Sequence, residues 1–328
     1  MAPAIDVHTH MLNNDYLALL EKHGGPKLTL KEVVGGLRAI HLDNAPFMTP
    51  VPEMFDYASR IKMMDEVGID VSVVSLTCPN VYWGTPEVSL QAARIMNDDM
   101  AAARTRYGGR IEYFCSLPWQ HAELARAELE RAKGRGAAGV MVLANIAGRP
   151  LTAPEFVPVW QAIDALGLPV LIHPTAPPGV AEMQMNEFQL AASIGFTFDT
   201  TLAVSRMLYD GFFDRYTRLK IIASHGGGAL PYLIGRMDQC FHNIPACRTR
   251  TQSAPSSYMG RLFADSVVFK TQALDLCLEV FGDDHVLFGT DYPHTIGDPR
   301  GCMRRVNDLL GARREKVRGG NAQRIFGF

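Results

Sequence analysis

Eight short apolar runs recur along the chain, and each is followed by a longer stretch with a helical pattern. The runs are rich in β-branched residues and almost continuous in hydrophobicity, which is typical of parallel strands covered on both faces. They predict strands at 4–7, 70–76, 111–117, 139–143, 169–173, 219–224, 262–268 and 286–289. Eight strand–helix units over 328 residues indicate an α/β fold of one domain, a (β/α)₈ TIM barrel.

The segments between the strands support this architecture. Helices are predicted at 54–66, 88–107, 122–135, 154–166, 200–213, 230–241, 271–281, 299–310 and 313–326. A doubly wound open sheet is the competing fold, but it would need a glycine-rich turn after an early strand, and "DVHTHML" has none. Residues 24–50, rich in Gly and Pro, predict a small hairpin insertion after strand one, on the side of the barrel where loops cover an active site.

Composition excludes several classes of function. A formal net charge of -2 without a basic run gives no electrostatic footprint for nucleic acid. The longest apolar runs, such as 140–144, are far shorter than a membrane span, and the first residues lack a signal-peptide pattern. The six cysteines are scattered without a CxxC pair, which argues against a disulfide framework. We therefore expect a soluble protein of the cytoplasm.

Histidines and one aspartate mark the ends of four predicted strands. His8 and His10, in "AIDVHTHML", share one face of strand one because side chains at i and i+2 point the same way. His173 ends strand five in "LPVLIHP", His225 ends strand six in "LKIIASHGGG", and Asp291 ends strand eight in "HVLFGTDYP". The carboxyl ends of barrel strands meet at one mouth, and imidazole with carboxylate suits Zn²⁺ or a similar divalent ion.

Each of these residues alone has an ordinary explanation. A single histidine at a strand end is more often a hydrogen-bonded loop residue, and an aspartate before Tyr-Pro can simply begin a turn. The coincidence of all five at one mouth is what predicts a metal site. The other histidines are assigned to loops or helix surfaces; these are His23, His41, His121, His242 and His285.

Five motifs spread over the chain resemble those of the amidohydrolase superfamily: "IDVHTH", "LIHP", "ASHGGGALPYLIGR", "GTDYP" and "GNAQRIFG". Within it, they resemble the branch of 2-amino-3-carboxymuconate-6-semialdehyde decarboxylase and related nonoxidative decarboxylases. The resemblance implies one divalent metal, most often Zn²⁺ with Mn²⁺ as the alternative, bound by His8, His10, His173 and Asp291. It also implies that His225 is an acid/base beside a metal-bound water, with Asp291 sharing the catalytic role.

The resemblance also bears on the number of metal ions. Two-metal members of the superfamily bridge their ions with a carboxylated lysine at the end of strand four. The corresponding stretch here, "GVMVLANIAG", contains no lysine. A single ion per chain is therefore expected.

The metal ligands alone leave two reactions open. A metal-dependent hydrolase of a lactone, ester or amide would use the same residues as a decarboxylase. The resemblance favours decarboxylation of an aromatic or muconate-semialdehyde-type carboxylate. A non-catalytic barrel is disfavoured, because it would not be expected to retain all five site residues.

Substrate residues are expected from the same resemblance. Arg236 matches an arginine that a neighbouring subunit supplies to grip a substrate carboxylate, which implies a homodimer. Independently of the resemblance, the position of Trp83, in "NVYWGTP" after strand two, predicts either a residue that lines the mouth or one used in core or lid packing. Met48 stands where a second arginine is expected, and Thr175 and His294 stand where aromatic residues are expected, so His294 would be a substrate contact of a different kind. These departures argue for a different small carboxylate, such as a monoanionic aromatic acid.

Overall fold

The computed structural model describes residues 2–33 and 36–328, so Met1 and two residues of the predicted insertion, Val34 and Gly35, lie outside the described residues. Eight parallel strands form one sheet in which each strand pairs with the next along the chain. They are β1 Ile5–Met11, β2 Val71–Leu76, β3 Ile111–Cys115, β4 Gly139–Leu143, β5 Pro169–His173, β6 Lys220–Ala223, β7 Leu262–Asp265 and β8 Val286–Leu287.

Backbone hydrogen bonds join the last strand region to β1 and close the barrel. The amide of His10 donates to the carbonyl of Tyr292 at 2.8 Å, and the amide of Asp291 donates to the carbonyl of His8 at 2.8 Å. Thr9 and Tyr292 form a parallel bridge at the same seam. The predicted (β/α)₈ barrel is confirmed, and its closure brings Asp291 beside the histidines of β1.

Helices surround the barrel. They are α1 Asn14–His23, α2 Tyr57–Val67, α3 Pro86–Arg106, α4 Ala122–Gly134, α5 Val157–Leu166, α6 Phe196–Tyr209, α7 Phe212–Arg215, α8 Leu230–Asn243, α9 Thr271–Phe281, α10 Pro299–Asn307, α11 Gly311–Glu315 and α12 Asn321–Phe326. Local chemistry sets their ends: the Asp56 side chain accepts the amide of Ala58 at the start of α2, and Gly68 ends it at φ 83°. None of the helices in the described ranges has the length and apolar character needed to cross a bilayer.

Hydrophobic burial explains why the strands read as continuous apolar runs. Every residue of β4 and β5 is buried, because one face lines the barrel interior and the other lies beneath the helices. The aromatic pair Trp119 and Trp160, with ring centroids 4.7 Å apart, is fully buried in the helical layer. The strands are apolar on both faces because both faces are buried. The few polar residues that interrupt them are therefore conspicuous.

The insertion after β1 is larger than the predicted hairpin. Its first two strands, Leu28–Glu32 and Arg38–Leu42, are the expected hairpin, but a third strand, Ala45–Met48, completes an antiparallel sheet. Helix α1 precedes the sheet and was also not predicted. It is amphipathic and buries Tyr16 and two leucines against the core.

Several predicted bounds were wrong. Strand β1 extends to Met11 rather than ending at residue 7, because polar residues of this strand are buried in the barrel interior. The last predicted helix, 313–326, is broken by a π-helical turn at Lys316–Gly320. At this break Gly319 approaches the carbonyl of Pro3 so closely that a Cβ would lie 1.8 Å from the oxygen.

Candidate metal centre

Three imidazoles and a carboxylate meet at the mouth of the barrel. His8 and His10 project from β1 with ring centroids 5.0 Å apart, and His173, the last residue of β5, lies 4.7 Å from His10. One ligand atom from each of these histidines and one oxygen of Asp291 all lie within 4.8 Å of one another. The structure therefore brings together the four ligands that the sequence predicted.

The Nδ1 atom of each histidine lies within hydrogen-bonding distance of an oxygen. The partners are Asp265 Oδ2 for His8 at 2.6 Å, Ser75 Oγ for His10 at 3.1 Å and the carbonyl of Pro174 for His173 at 2.8 Å. A neutral imidazole that donates from Nδ1 keeps the lone pair of Nε2 free. These contacts orient the rings and select the nitrogen that would bind a metal.

The buried polar atoms of these side chains indicate whether the site suits a cation. The Nε2 atoms of His8, His10 and His173 and the Oδ1 atom of Asp291 are buried and have no hydrogen-bond partner within residues 2–33 and 36–328. Buried polar atoms without a partner are costly, so four that converge at one point indicate a ligand. Three imidazole nitrogens and one carboxylate oxygen are a donor set that Zn²⁺ and similar divalent ions accept, and the site fits such an ion.

The charges of the four groups are set by burial and by each other. Burial lowers the pKa of His10 to about 3 and the pKa of His173 well below its usual value. Burial opposes ionisation of Asp291, but the neighbouring imidazoles of His10, His225 and His8 hold its pKa well below the usual range. Burial would also lower the pKa of His8, yet Asp265 and Asp291 raise it to about 10. The two carboxylates thus stabilise a positive charge at His8, and a metal ion bound there would displace the proton from its Nε2.

His225 lies beside this group without being part of it. Its Nε2 atom is 3.5 Å from Oδ2 of Asp291, its ring centroid is 4.9 Å from that of His8, and its side chain is 9% exposed. It follows β6 in a tight turn where its own φ is 54°, and three glycines with positive φ come next. Glycine tolerates this left-handed backbone whereas a histidine is strained in it, and the turn points the imidazole into the mouth.

A buried arginine on α2 contacts the carboxyl end of β1. Arg60 on α2 donates to the side chain of Thr9 and the carbonyl of His10, and its guanidinium lies 4.9 Å from the ring centroid of Tyr292. The nearby Asp6 is so deeply buried that its pKa rises to about 7. Arg60 therefore ties the strand that carries two ligands to the seam that carries Asp291.

A cavity of about 620 Å³ opens at the end of the barrel that carries the ligands, and its described lining does not include the four ligands themselves. Thr175, two residues after His173, lines it and places it at the same end of the barrel. The lining comes from the insertion, from the strand ends and from α6, and includes Leu42, Phe47, Trp83, Asn145, Thr175 and Phe196. The aromatic rings in the lining suit a flat organic substrate, and the few charged lining residues include Lys27, Asp43 and Glu182.

The predicted substrate residues fall in different places. Trp83 lines the cavity, and its indole N–H donates to the carbonyl of Asn80 at 2.8 Å. His294 has its ring centroid 5.0 Å from that of His10, and its Nε2 is 2.8 Å from Oγ1 of Thr77. His294 therefore lies beside the ligand His10, whereas Trp83 lies in the cavity lining.

Met48 and Arg236 lie away from the cavity. Met48 is buried in the third strand of the small sheet. Arg236 is exposed on α8 and does not line the described cavity of its own chain.

Sequence reasoning missed Asp265. It is the last residue of β7, fully buried, and bonded to the ligand His8. The signal was present, because "LFADS" places an aspartate within the predicted seventh strand of an otherwise apolar barrel. A buried carboxylate at that position needs a cationic or donating partner.

The amidohydrolase family model (Amidohydro_2) matches residues 5–328. Among curated proteins, a 2-amino-3-carboxymuconate-6-semialdehyde decarboxylase from Dictyostelium discoideum is 30% identical over 99% of this chain and 91% of its own length.

Solved structures of decarboxylases are also similar to this chain. A 5-carboxyvanillate decarboxylase from Sphingomonas paucimobilis superposes with a TM-score of 0.87 and 26% identity, covering 100% of both chains. A dihydroxybenzoic acid decarboxylase from Polaromonas sp., with bound manganese and the inhibitor 2-nitroresorcinol, superposes with a TM-score of 0.81 and 25% identity. That match covers 100% of this chain and 97% of the other.

The family match runs from residue 5 to residue 328 and therefore includes all four converging ligands, from His8 to Asp291. The chain belongs to the amidohydrolase family, in the branch of 2-amino-3-carboxymuconate-6-semialdehyde decarboxylase.

Proposed function

We propose that this protein is a metal-dependent nonoxidative decarboxylase of an aromatic or muconate-semialdehyde-type carboxylate. The observation that carries the proposal is the convergence of His8, His10, His173 and Asp291, with His225 alongside. A cavity with aromatic residues in its lining lies at the same end of the barrel. The relatives described above are decarboxylases, in agreement with the predicted reaction.

The reaction breaks the bond between the substrate carbon and its carboxylate. Carbon dioxide leaves, the electron pair of the broken bond stays on the carbon, and a proton takes up that pair. A bound divalent ion would supply Lewis-acid polarisation of a substrate oxygen. His225 is the proposed source of the proton, because an imidazole gives and takes protons near neutral pH and this one lies within 3.5 Å of Asp291. Asp291 would hold His225 in place as well as binding the ion.

Zn²⁺ is the proposed ion, and Mn²⁺ is the alternative that the Polaromonas structure suggests. Three imidazoles favour zinc, whereas an oxygen-rich substrate could complete a shell for either ion. One ion per chain is proposed, because the described residues hold one group of four converging ligands. Both ions would use the same side chains.

The lining of the cavity favours a monoanionic aromatic acid. The aromatic walls formed by Phe47, Trp83 and Phe196 suit a ring, and Thr175 stands where the resemblance expected an aromatic side chain. The position of the second expected arginine is occupied by Met48, an apolar residue buried in the insertion. A second carboxylate on the substrate would lack that partner.

We also propose a homodimer in which Arg236 reaches the pocket of the neighbouring subunit. Tyr232, 82% exposed, and Arg236 lie one turn apart on the same face of α8. Exposed apolar side chains also occur in the segment before α6, where Phe188 is 87% exposed and Ile194 is 53% exposed. Such side chains favour an interface. A guanidinium at that interface could grip a carboxylate through two hydrogen bonds.

The remaining proposals concern organisation and location. Residues 1–328 would act as one catalytic domain, with the insertion at about 24–50 covering the mouth. This is supported by insertion residues in the cavity lining. All six cysteines are free thiols, which is consistent with the proposed cytoplasmic location.

Isotope labelling tests the proposed reaction against hydrolysis. Zinc- and manganese-loaded protein would be incubated with hydroxybenzoates, 5-carboxyvanillate and a panel of lactones in H₂¹⁸O and in D₂O. Decarboxylation releases CO₂, places deuterium on the substrate carbon that carried the carboxylate and puts no ¹⁸O into the organic product. Hydrolysis instead puts ¹⁸O into a product carboxylate without CO₂ release, and that outcome would overturn the proposal. A His173→Ala variant controls for activity that does not depend on the site.

A further inference from the structure

Asp265 contacts both the ligand His8 and the turn that carries His225. It ends β7, is fully buried, and accepts four hydrogen bonds. The donors are the Nδ1 of His8 at 2.6 Å, the amide of His225 at 3.0 Å, the amide of Gly226 at 3.0 Å and the amide of Val267 at 2.9 Å. Donors from three separate segments thus meet on one carboxylate.

Two of these donors approach each carboxylate oxygen. Oδ2 accepts from His8 and His225, and Oδ1 accepts from Gly226 and Val267. An ionised carboxylate only accepts hydrogen bonds, and the three amides can only donate. His8 must therefore give the proton of its Nδ1 to this contact, which leaves the Nε2 lone pair for the cluster of ligands.

The same carboxylate holds the turn after β6. His225 and Gly226 have φ values of 54° and 64°, in the left-handed region that a histidine seldom occupies. Their two consecutive amides both point at Asp265. Without that acceptor, the turn would lose the contacts that offset its backbone strain.

We propose that Asp265 is a positioning residue that couples the ligand His8 to the turn carrying His225. One buried carboxylate selects the nitrogen with which His8 meets a metal ion and sets the direction of the His225 imidazole. The proposal rests on the proposed metal-dependent function, but its tests need no substrate.

The variant Asp265→Asn tests the proposal. Asparagine keeps the size of the side chain and one acceptor oxygen, but its amide group faces either His8 or the turn with hydrogens instead of lone pairs. His8 would then have to move its proton to Nε2 or rotate away from its present position. We expect zinc affinity, measured by competition with a chromophoric chelator, to fall about 10–100-fold.

Hydrogen exchange tests the contact between Asp265 and the turn that carries His225. In the wild-type protein, the amides of His225 and Gly226 should be protected by their bonds to Asp265. In Asp265→Asn, a peptide spanning 219–230 should exchange at least about tenfold faster, and saturating zinc should not restore its protection. An unchanged exchange rate would overturn the coupling to the turn.

Asp199 supplies a matched control. It is also a buried aspartate, and it accepts from the side chain of Asn145 and the amide of Thr175 rather than from His8 or His225. Asp199→Asn should leave zinc affinity unchanged. Equal loss of affinity in both variants, or wild-type affinity in Asp265→Asn, would overturn the proposal.

A measurement on the wild-type protein covers the case in which Asp265→Asn does not fold. In zinc-loaded protein labelled with ¹⁵N-histidine, assigned against His8→Gln, the Nδ1 of His8 should carry a proton that exchanges slowly with water. A His8 ring without a proton on Nδ1 would overturn the proposal. Failure to find decarboxylation, with these results intact, would count against the proposed function alone.

Discussion

The two carboxylate oxygens of Asp291 face different partners. Oδ1 lies 3.4 Å from Nε2 of His8 and 3.3 Å from Nε2 of His10, whereas Oδ2 lies 3.5 Å from Nε2 of His225. One oxygen of Asp291 therefore belongs to the ligand group, and the other oxygen contacts the imidazole of His225. This division separates the residues expected to bind metal from the residue expected to move a proton.

Replacing His225 by Asn should separate these roles experimentally. Metal content should stay near that of the wild type, because His225 is outside the group of four ligands. Turnover should fall about 10²–10⁴-fold, the usual contribution of a general acid–base group. Metal analysis and steady-state rates on the same preparations give the answer. His242→Asn, on the exposed surface of α8, is the control. Loss of metal from His225→Asn would show that His225 is a ligand.

Purified protein should contain about one divalent ion per chain, and His173→Ala should lose most of it. His173 supplies one of four buried atoms that converge, so its removal leaves an incomplete shell. Elemental analysis after dialysis measures the content, and exhaustive chelation should abolish turnover until Zn²⁺ or Mn²⁺ is restored. Two ions per chain, or full activity after chelation, would contradict the assignment.

Replacing Arg236 by Ala should lower kcat/KM by an amount equivalent to about 1.5–3 kcal/mol, the contribution of a hydrogen bond to a charged group. Arg304→Ala, which removes another exposed helical arginine, should have no such effect. Light scattering would establish the size of the particle. A monomer with full activity would disprove the proposed shared site.

Mixing subunits tests whether Arg236 acts across the interface. Heterodimers of Arg236→Ala and inactive His225→Asn chains contain one pocket with both defects and one with neither. Activity should therefore partly return after subunits exchange. If exchange is demonstrated and activity stays low, Arg236 does not serve the neighbouring pocket.

Gly228→Ala should unfold more easily than the wild type. Gly228 has φ +63°, and a Cβ there would lie 2.4 Å from the carbonyl oxygen of Thr197 and 2.5 Å from Oγ1 of Thr201. The left-handed backbone and the steric clash together should cost about 2–4 kcal/mol of unfolding free energy. Urea denaturation measures this against Gly260→Ala, whose added methyl meets no atom within 4 Å. Equal stability of the two variants would show that the turn can relax.

Asp199 should make stability depend on pH. Burial raises its pKa from 3.8 to about 6, against the opposing hydrogen bonds from Thr175 and Asn145. Between these values the folded protein holds a proton that the unfolded chain has lost, so the free energy of unfolding should fall as pH rises from about 4 to 6. The effect is up to about 3 kcal/mol and should be complete above pH 6. Urea titrations of wild type and Asp199→Asn measure it, and identical pH profiles would contradict the prediction.

The ligands could be read from the sequence because each depends on a local pattern. A short apolar run predicts a strand, an i, i+2 pair shares a face, and the carboxyl ends of barrel strands converge whatever the loops do. His8, His10, His173 and Asp291 needed only these facts, together with the resemblance that assigned their roles. The same patterns predicted the eight strands and most of the helices, with errors at their ends.

The sequence by itself therefore determined the barrel and the chemistry of its ligands. Tertiary structure alone decided that Asp265 bonds both to His8 and to the turn of His225, that Arg60 is buried beneath β1, and that α1 packs against the core. These contacts join segments far apart in the chain. They depend on strand register, on closure of the barrel and on competition for buried hydrogen-bond donors, none of which a local pattern encodes.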